Sequence, residues 1–116
     1  MTSHPTCTWS GKSGTSYTYS IWPLPVTFDP DQGGNYIFSK KNTEGKWVPI
    51  YVGQGDLADR VGDGHHKARA IKLKGATHVH VHLTPREADR LAEEEDLLAR
   101  YTTAYHPTGC NELFGG

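Results

Sequence analysis

Cysteine is scarce in this chain of 116 residues, in which Cys7 and Cys110 lie near opposite ends and form no Cys-x-x-Cys pair. A zinc finger built on cysteine pairs is therefore not indicated, and two free thiols are typical of a reduced cytoplasm. No apolar run approaches the roughly 20 residues that cross a bilayer, and none near the start predicts a secretory signal. We expect one small cytoplasmic domain with no membrane partner.

Net charge is also nearly absent, because 12 basic and 13 acidic side chains give −1 at pH 7. A nucleic-acid-binding domain is usually much more basic. The charges are segregated, however: residues 40–74 hold eight basic and four acidic side chains, and residues 75–116 hold three and seven. A basic segment attracts phosphate and an acidic helix can hold a cation, whereas two solvated faces without a partner are the alternative.

Apolar patterning predicts an α+β fold, with helices against a small, largely antiparallel sheet. Residues 1–16 have no apolar period and predict a loosely docked arm, whereas prolines in residues 17–28 predict an edge strand or extended segment. Further along, the patterns predict a hairpin, two short helices, a strand and a long helix, over residues 36–40 with 47–53, 57–61, 65–74, 77–83 and 85–101.

The long helix has its start signals in Thr84-Pro85-Arg86-Glu87, which predict an N-cap, a first-turn proline and a capping-box glutamate. Ala88, Leu91 and Leu98 recur at helical spacing and predict its buried face.

Histidines alternate with apolar residues in the strand over residues 77–83. Successive strand residues point to opposite faces, so His78, His80 and His82 share one side and could hold the zinc of a hydrolase. The alternative, which we favour, is a polar face that is exposed or covered by another element, because no further ligand spacing completes a metal site.

Two tyrosine-bearing strands precede an arginine, a histidine pair and an acidic helix. The segments, in chain order, are Gly34-Asn35-Tyr36, Tyr51-Val52-Gly53, Arg60, His65-His66, Glu94 with Leu97-Leu98, and Pro107 with Asn111. In this order they resemble the motifs of the GIY-YIG nuclease family, over residues 33–112. The sequence departs from the family pattern at Asn35, where an aliphatic residue is usual.

The resemblance implies a small three-stranded sheet flanked by helices, with an extra N-terminal extended segment. Residues 1–32 would be that arm and edge segment, residues 33–112 the nuclease domain and residues 113–116 a tail. The implied function is hydrolysis of DNA phosphodiester bonds by a metal-dependent endonuclease. The alternative is a non-catalytic module on the same fold that binds nucleic acid or protein.

The resemblance also implies roles for individual side chains. Glu94, with Glu95 as the fallback, would hold Mg²⁺ or Mn²⁺, which suits a hard cation that keeps most of its water. The implied catalytic residues are Tyr36, Tyr51, Arg60, His65, His66 and Glu94. The implied substrate-binding residues are Lys67, Arg69, Lys72 and Asn111, although Asn111 also suits a role in fixing the local backbone. DNA is the expected partner, and a homodimer or a separate specificity partner stays open.

Overall fold

The computed structural model describes residues 5–62 and 65–112. Within these ranges five strands pair antiparallel in one sheet, namely β1 Thr6–Ser10, β2 Ser16–Pro23, β3 Gly33–Lys41, β4 Trp47–Asp56 and β5 His78–Leu83. Their order across the sheet is β1-β2-β5-β3-β4. The sheet curls into a half-barrel, so the expectation of a three-stranded sheet is wrong.

Helices cover both faces of this sheet: α1 Leu57–Arg60, α2 Ala68–Leu73 and α3 Glu87–Arg100, followed by a 3₁₀ turn at Thr102–Ala104. Asp56 caps α1, and its side chain accepts a hydrogen bond from the Ala58 amide. None of the helices in the described part of the chain is long and apolar enough to cross a bilayer.

The N-terminal segment departs most from expectation, because β1 and β2 belong to the sheet and β2 lies between β1 and β5. Trp9, Tyr19 and Ile21 are buried. Pro23 is the last residue of β2, paired with His78, so it ends a strand rather than keeping that strand out of the sheet. The predicted extended edge segment is therefore an inner strand of the sheet.

Each face of the sheet carries its own core. Tyr36 and Phe38 pack on one face with Leu57 of α1 and Ile71 of α2. The opposite face carries Trp9, Tyr19, Ile37 and Val52, and Leu97 of α3 covers it. A β-bulge between Phe38 and Ser39 interrupts the pairing of β3 with β4, so that Ile50 and Tyr51 both pack against the first core.

Strand β5 is the centre of the sheet, and its histidines do not converge. His80 is fully buried and its Nδ1 accepts a hydrogen bond from Trp9 Nε1 at 2.9 Å. His82 Nδ1 lies 3.0 Å from Glu93, and His78 Nδ1 lies 2.8 Å from Thr77 Oγ1. The structure agrees with the interpretation in which other elements cover the histidine face of β5. No group of three potential metal ligands occurs within residues 5–62 and 65–112.

Helix α3 begins later and faces differently than its sequence predicts. Its N-cap is Arg86, without a side-chain hydrogen bond, so the predicted capping box is wrong. Thr84 Oγ1 instead donates to the carbonyl oxygen of His82. The predicted buried face is also wrong, because Leu91 is 46% exposed whereas Glu93 is 4% exposed. The Glu93 carboxylate faces the sheet because the Tyr19 hydroxyl and the His82 imidazole hydrogen-bond to it there.

Candidate active site

Tyr36 and Tyr51 lie on the same face of neighbouring strands, with ring centroids 6.1 Å apart and ring planes 20° from parallel. Tyr36 pairs with Gly53 across β3 and β4. A side chain at Gly53 would collide with the Tyr36 hydroxyl, so glycine is required where the tyrosine ring crosses the neighbouring strand. The tyrosines of the two segments that resemble family motifs therefore form one surface.

His65 joins this surface through a hydrogen bond whose direction the structure fixes. Its Nε2 lies 2.8 Å from the hydroxyl oxygen of Tyr36, and its Nδ1 accepts a hydrogen bond from the Lys67 amide at 2.9 Å. A backbone amide can only donate, so the neutral imidazole carries its proton on Nε2. His65 consequently donates to Tyr36, and the Tyr36 hydroxyl proton is directed elsewhere.

Burial acts strongly on both partners of this hydrogen bond. It raises the pKa of Tyr36 well above its ordinary value, and Tyr51 and Glu94 add to this while Arg60 opposes it. For His65, burial first and then the charges of His66, Arg60 and Lys67 lower the pKa to about 4. Neutral His65 is thus the form that faces Tyr36 at neutral pH.

His66 is exposed and stacks on His65, with ring centroids 4.6 Å apart. Its ring also lies edge-on to Tyr51 at 6.1 Å. His65 rather than His66 is the histidine that reaches Tyr36.

Arg60 leaves the end of α1 and lies against the backbone of β4. Gly55 has a φ of +141°, and a side chain there would approach Arg60 Nε to 2.8 Å. The guanidinium charge lowers the pKa of Tyr36, Tyr51 and Glu94 against the effect of burial. Arg60 therefore favours the ionised form of all three groups.

Glu94 lies on α3 and is half-buried. Burial raises the pKa of its carboxyl group, and only Arg60 opposes that rise. Its charge in turn raises the pKa of Tyr36 and Tyr51. Within the described ranges no group hydrogen-bonds to the Glu94 carboxylate. A half-buried carboxylate without such a partner suits a hard cation that supplies the missing compensation.

The two neighbouring glutamates face elsewhere. Glu95, the fallback ligand, is exposed. Glu93 is buried against Tyr19 and His82 on the opposite face of the sheet. Of the three consecutive glutamates, Glu94 is the one whose charge acts on both tyrosines of the site.

The predicted substrate-binding residues divide into two groups. Arg69 and Lys72 of α2 are exposed, whereas Lys67 makes an ion pair of 2.6 Å with Glu112. Asn111 is buried, and its amide accepts from the Val52 N–H and donates to the Val52 carbonyl. That double contact fixes the chain around Asn111 against β4, next to Tyr51.

Two contributors to the site are missing from the sequence motifs. Gly55 makes room for the Arg60 side chain. The only hint of this in the sequence is that a second glycine follows Gly53 two residues later. The Lys67 amide, which fixes the proton of His65, has no sequence signal because nearly every residue carries such a group. The chain matches no protein-family model, no curated protein and no solved structure.

Proposed function

We propose that this protein is a metal-dependent DNA endonuclease with a site of the GIY-YIG type. The observation that carries the proposal is the stacked pair Tyr36 and Tyr51, which His65 joins by a hydrogen bond and on which the charges of Arg60 and Glu94 act. Strands β3 and β4 supply Tyr36 and Tyr51, α1 supplies Arg60 and α3 supplies Glu94. Such agreement between motif order and spatial proximity supports a shared chemical task, since perturbed ionisable groups cluster at functional sites.

Phosphodiester hydrolysis requires a nucleophile, compensation of charge on the phosphoryl oxygens and assistance to the leaving oxygen. Glu94 would hold Mg²⁺ or Mn²⁺, which when bound supplies positive charge to the phosphoryl and leaving oxygens. Arg60 would bind the phosphate, since a guanidinium offers planar paired donors and stays charged. The exposed Arg69 and Lys72 of α2 would contact phosphates of the DNA backbone.

Tyr36, in the fraction that has released its own hydroxyl proton to solvent, would take a proton from the attacking water and then return it to solvent. The hydrogen bond donated by His65 stabilises the phenolate more than the phenol, because charged acceptors make stronger hydrogen bonds. The water oxygen then forms a bond to phosphorus, the bond to the leaving oxygen breaks, and that oxygen takes a proton from solvent. His65 acts here as a donor and not as the base.

The decisive experiment compares Glu94→Gln with Glu95→Gln, which remove the same charge from adjacent helix positions. Plasmid DNA and single-stranded circular DNA would be incubated with each protein in Mg²⁺, Mn²⁺ or EDTA. We expect metal-dependent cleavage by the wild type and by Glu95→Gln, and a loss of at least about 100-fold in Glu94→Gln. Wild-type activity in a folded Glu94→Gln protein would refute the assignment of the metal ligand.

One observation favours a second function, a binding module without catalysis. Burial raises the pKa of Tyr36, which opposes formation of the phenolate at neutral pH. Under that alternative the wild-type protein binds DNA but cuts neither substrate in any metal. A binding titration with the same DNA, run beside the cleavage assay, separates the two functions.

A further inference from the structure

Glu93, the residue before Glu94 on α3, is held from two strands. Tyr19 of β2 donates its hydroxyl to Glu93 Oε2 at 2.5 Å, and His82 Nδ1 of β5 lies 3.0 Å from both carboxylate oxygens. Glu93 is 4% exposed. Removal of one hydrogen-bond partner from a buried carboxylate costs free energy of folding, so these contacts hold α3 firmly against β2 and β5.

A second attachment joins the same helix to the turn between β1 and β2 and to the start of β2. The Tyr17 hydroxyl donates to Asp96 Oδ2 at 2.8 Å, and the Ser13 amide and hydroxyl donate to Asp96 at 2.9 and 2.7 Å. The Lys12 amide donates to the Asp96 carbonyl at 3.1 Å.

We propose that the N-terminal hairpin, residues 6–23, sets the rotation of α3 and so places the Glu94 carboxylate in the active site. Tyr19 and Tyr17 are then positioning residues for the metal ligand. The inference rests on the proposed function, in which Glu94 holds the cation. It assigns a task to the two strands that the family resemblance does not account for.

Helix geometry shows why rotation matters. A helix with its side chains is about 10–12 Å across, so a surface carboxylate lies about 6 Å from the axis. A rotation of about 10° consequently moves that carboxylate by about 1 Å. Metal ligands and catalytic groups need to be held to about 0.5 Å. Glu93 and Asp96 flank Glu94 along the helix, so their contacts with the hairpin restrict this rotation.

The test compares Tyr19→Phe with Ser20→Ala, which remove hydroxyl groups from adjacent residues of β2. Tyr19 faces α3, whereas the Ser20 hydroxyl donates to the Val81 carbonyl on the other face. Loss of a second-shell partner commonly weakens metal binding by about 10–100-fold. Because Tyr19 acts through the helix, we expect a rise of roughly threefold to tenfold in the Mn²⁺ concentration for half-maximal cleavage. Ser20→Ala should keep the wild-type value.

A measurement without DNA supplies a second readout. Mn²⁺ added to the ¹⁵N-labelled protein should broaden the amide signals around Glu94, and the midpoint should move to higher Mn²⁺ in Tyr19→Phe. The rate at saturating Mn²⁺ should stay within about threefold of wild type, since the variant alters ligand placement and not the reacting groups.

The possible results separate the two proposals. Wild-type protein without metal-dependent cleavage overturns the proposed function and this inference with it. An active wild type with an unchanged Mn²⁺ midpoint in folded Tyr19→Phe overturns the inference alone, as does an equal shift in Ser20→Ala. If Tyr19→Phe does not fold, Asp96→Ala removes the second attachment at the surface and must show the same shift.

Discussion

The hydrogen bond from His65 to Tyr36 should control how readily Tyr36 ionises. Replacing His65 by leucine removes the donor, whereas glutamine can place an amide N–H where Nε2 now lies. We expect the leucine variant to require a higher pH for cleavage, and the glutamine variant to retain most of the wild-type rate. The pair therefore separates donation from proton acceptance.

The magnitude follows from the difference between two hydrogen bonds. A hydrogen bond to a charged acceptor contributes about 1.5–3 kcal/mol and one to a neutral acceptor about 0.5–1.5 kcal/mol. The midpoints of these ranges differ by about 1.3 kcal/mol, which is close to the free energy of one pKa unit. His65→Leu should thus raise the pKa of Tyr36 by about one unit and slow cleavage about tenfold at neutral pH.

The assay is the rate of plasmid nicking against pH for the wild type, His65→Gln and His65→Leu. Cleavage depends on ionised Tyr36, so the rate rises with pH and its rising limb moves to higher pH in His65→Leu. ¹⁵N NMR of the His65 ring reads the proton position directly. A proton on Nδ1 of His65 would refute the reasoning, and so would a glutamine variant as slow as the leucine variant.

Two further predictions concern stability. Burial lowers the pKa of His80 to about 4 in the folded protein. Between about pH 6.5 and pH 4 the unfolded chain therefore binds a proton at this residue and the folded chain does not. As the pH falls through that window, His80 should lower the free energy of unfolding by up to about 3 kcal/mol, and His65, whose pKa is also about 4, adds to the decline. His80→Asn, which keeps an acceptor for Trp9, should remove the His80 share in urea unfolding. Asn111→Ala leaves the buried backbone N–H and C=O of Val52 unpaired and should cost about 2–4 kcal/mol.

Each stability prediction has a result that contradicts it. Equal pH dependence of unfolding in wild type and His80→Asn would show that another group causes the acid sensitivity. For Asn111, aspartate is the matched control at a pH where it is ionised, because a carboxylate can accept from the Val52 amide but cannot donate to the Val52 carbonyl. A loss smaller than about 0.5 kcal/mol in Asn111→Ala would mean that water replaces both contacts.

Local patterns predicted the middle of the chain well. Strands β3, β4 and β5 lie where alternation and turn residues indicate them, because a hairpin depends on residues close in sequence. Of the segments that resemble family motifs, the two tyrosines stack on each other and His65 hydrogen-bonds to Tyr36, whereas the role of these residues stays a prediction. The direction of the proton between Tyr36 and His65 was beyond prediction, since it depends on the Lys67 backbone amide.

Long-range partners explain the failures. Prolines near residue 23 indicated an edge, but β5, more than fifty residues later, pairs with β2 and makes it an inner strand. Leu91 looked like part of the buried helix face, yet Glu93 is buried instead because Tyr19 and His82 hydrogen-bond to it. Neither contact can be read from a local window of sequence.

The strand order has a consequence for synthesis on the ribosome. The β1–β2 hairpin and the β3–β4 hairpin can each pair as soon as they are made, whereas β5 lies between them and follows both in the chain. Until residues 78–83 emerge, β2 and β3 each present an unpaired edge, which invites pairing with other chains. Arrival of β5 closes both edges at once, so completion of the sheet waits for the last third of the polypeptide.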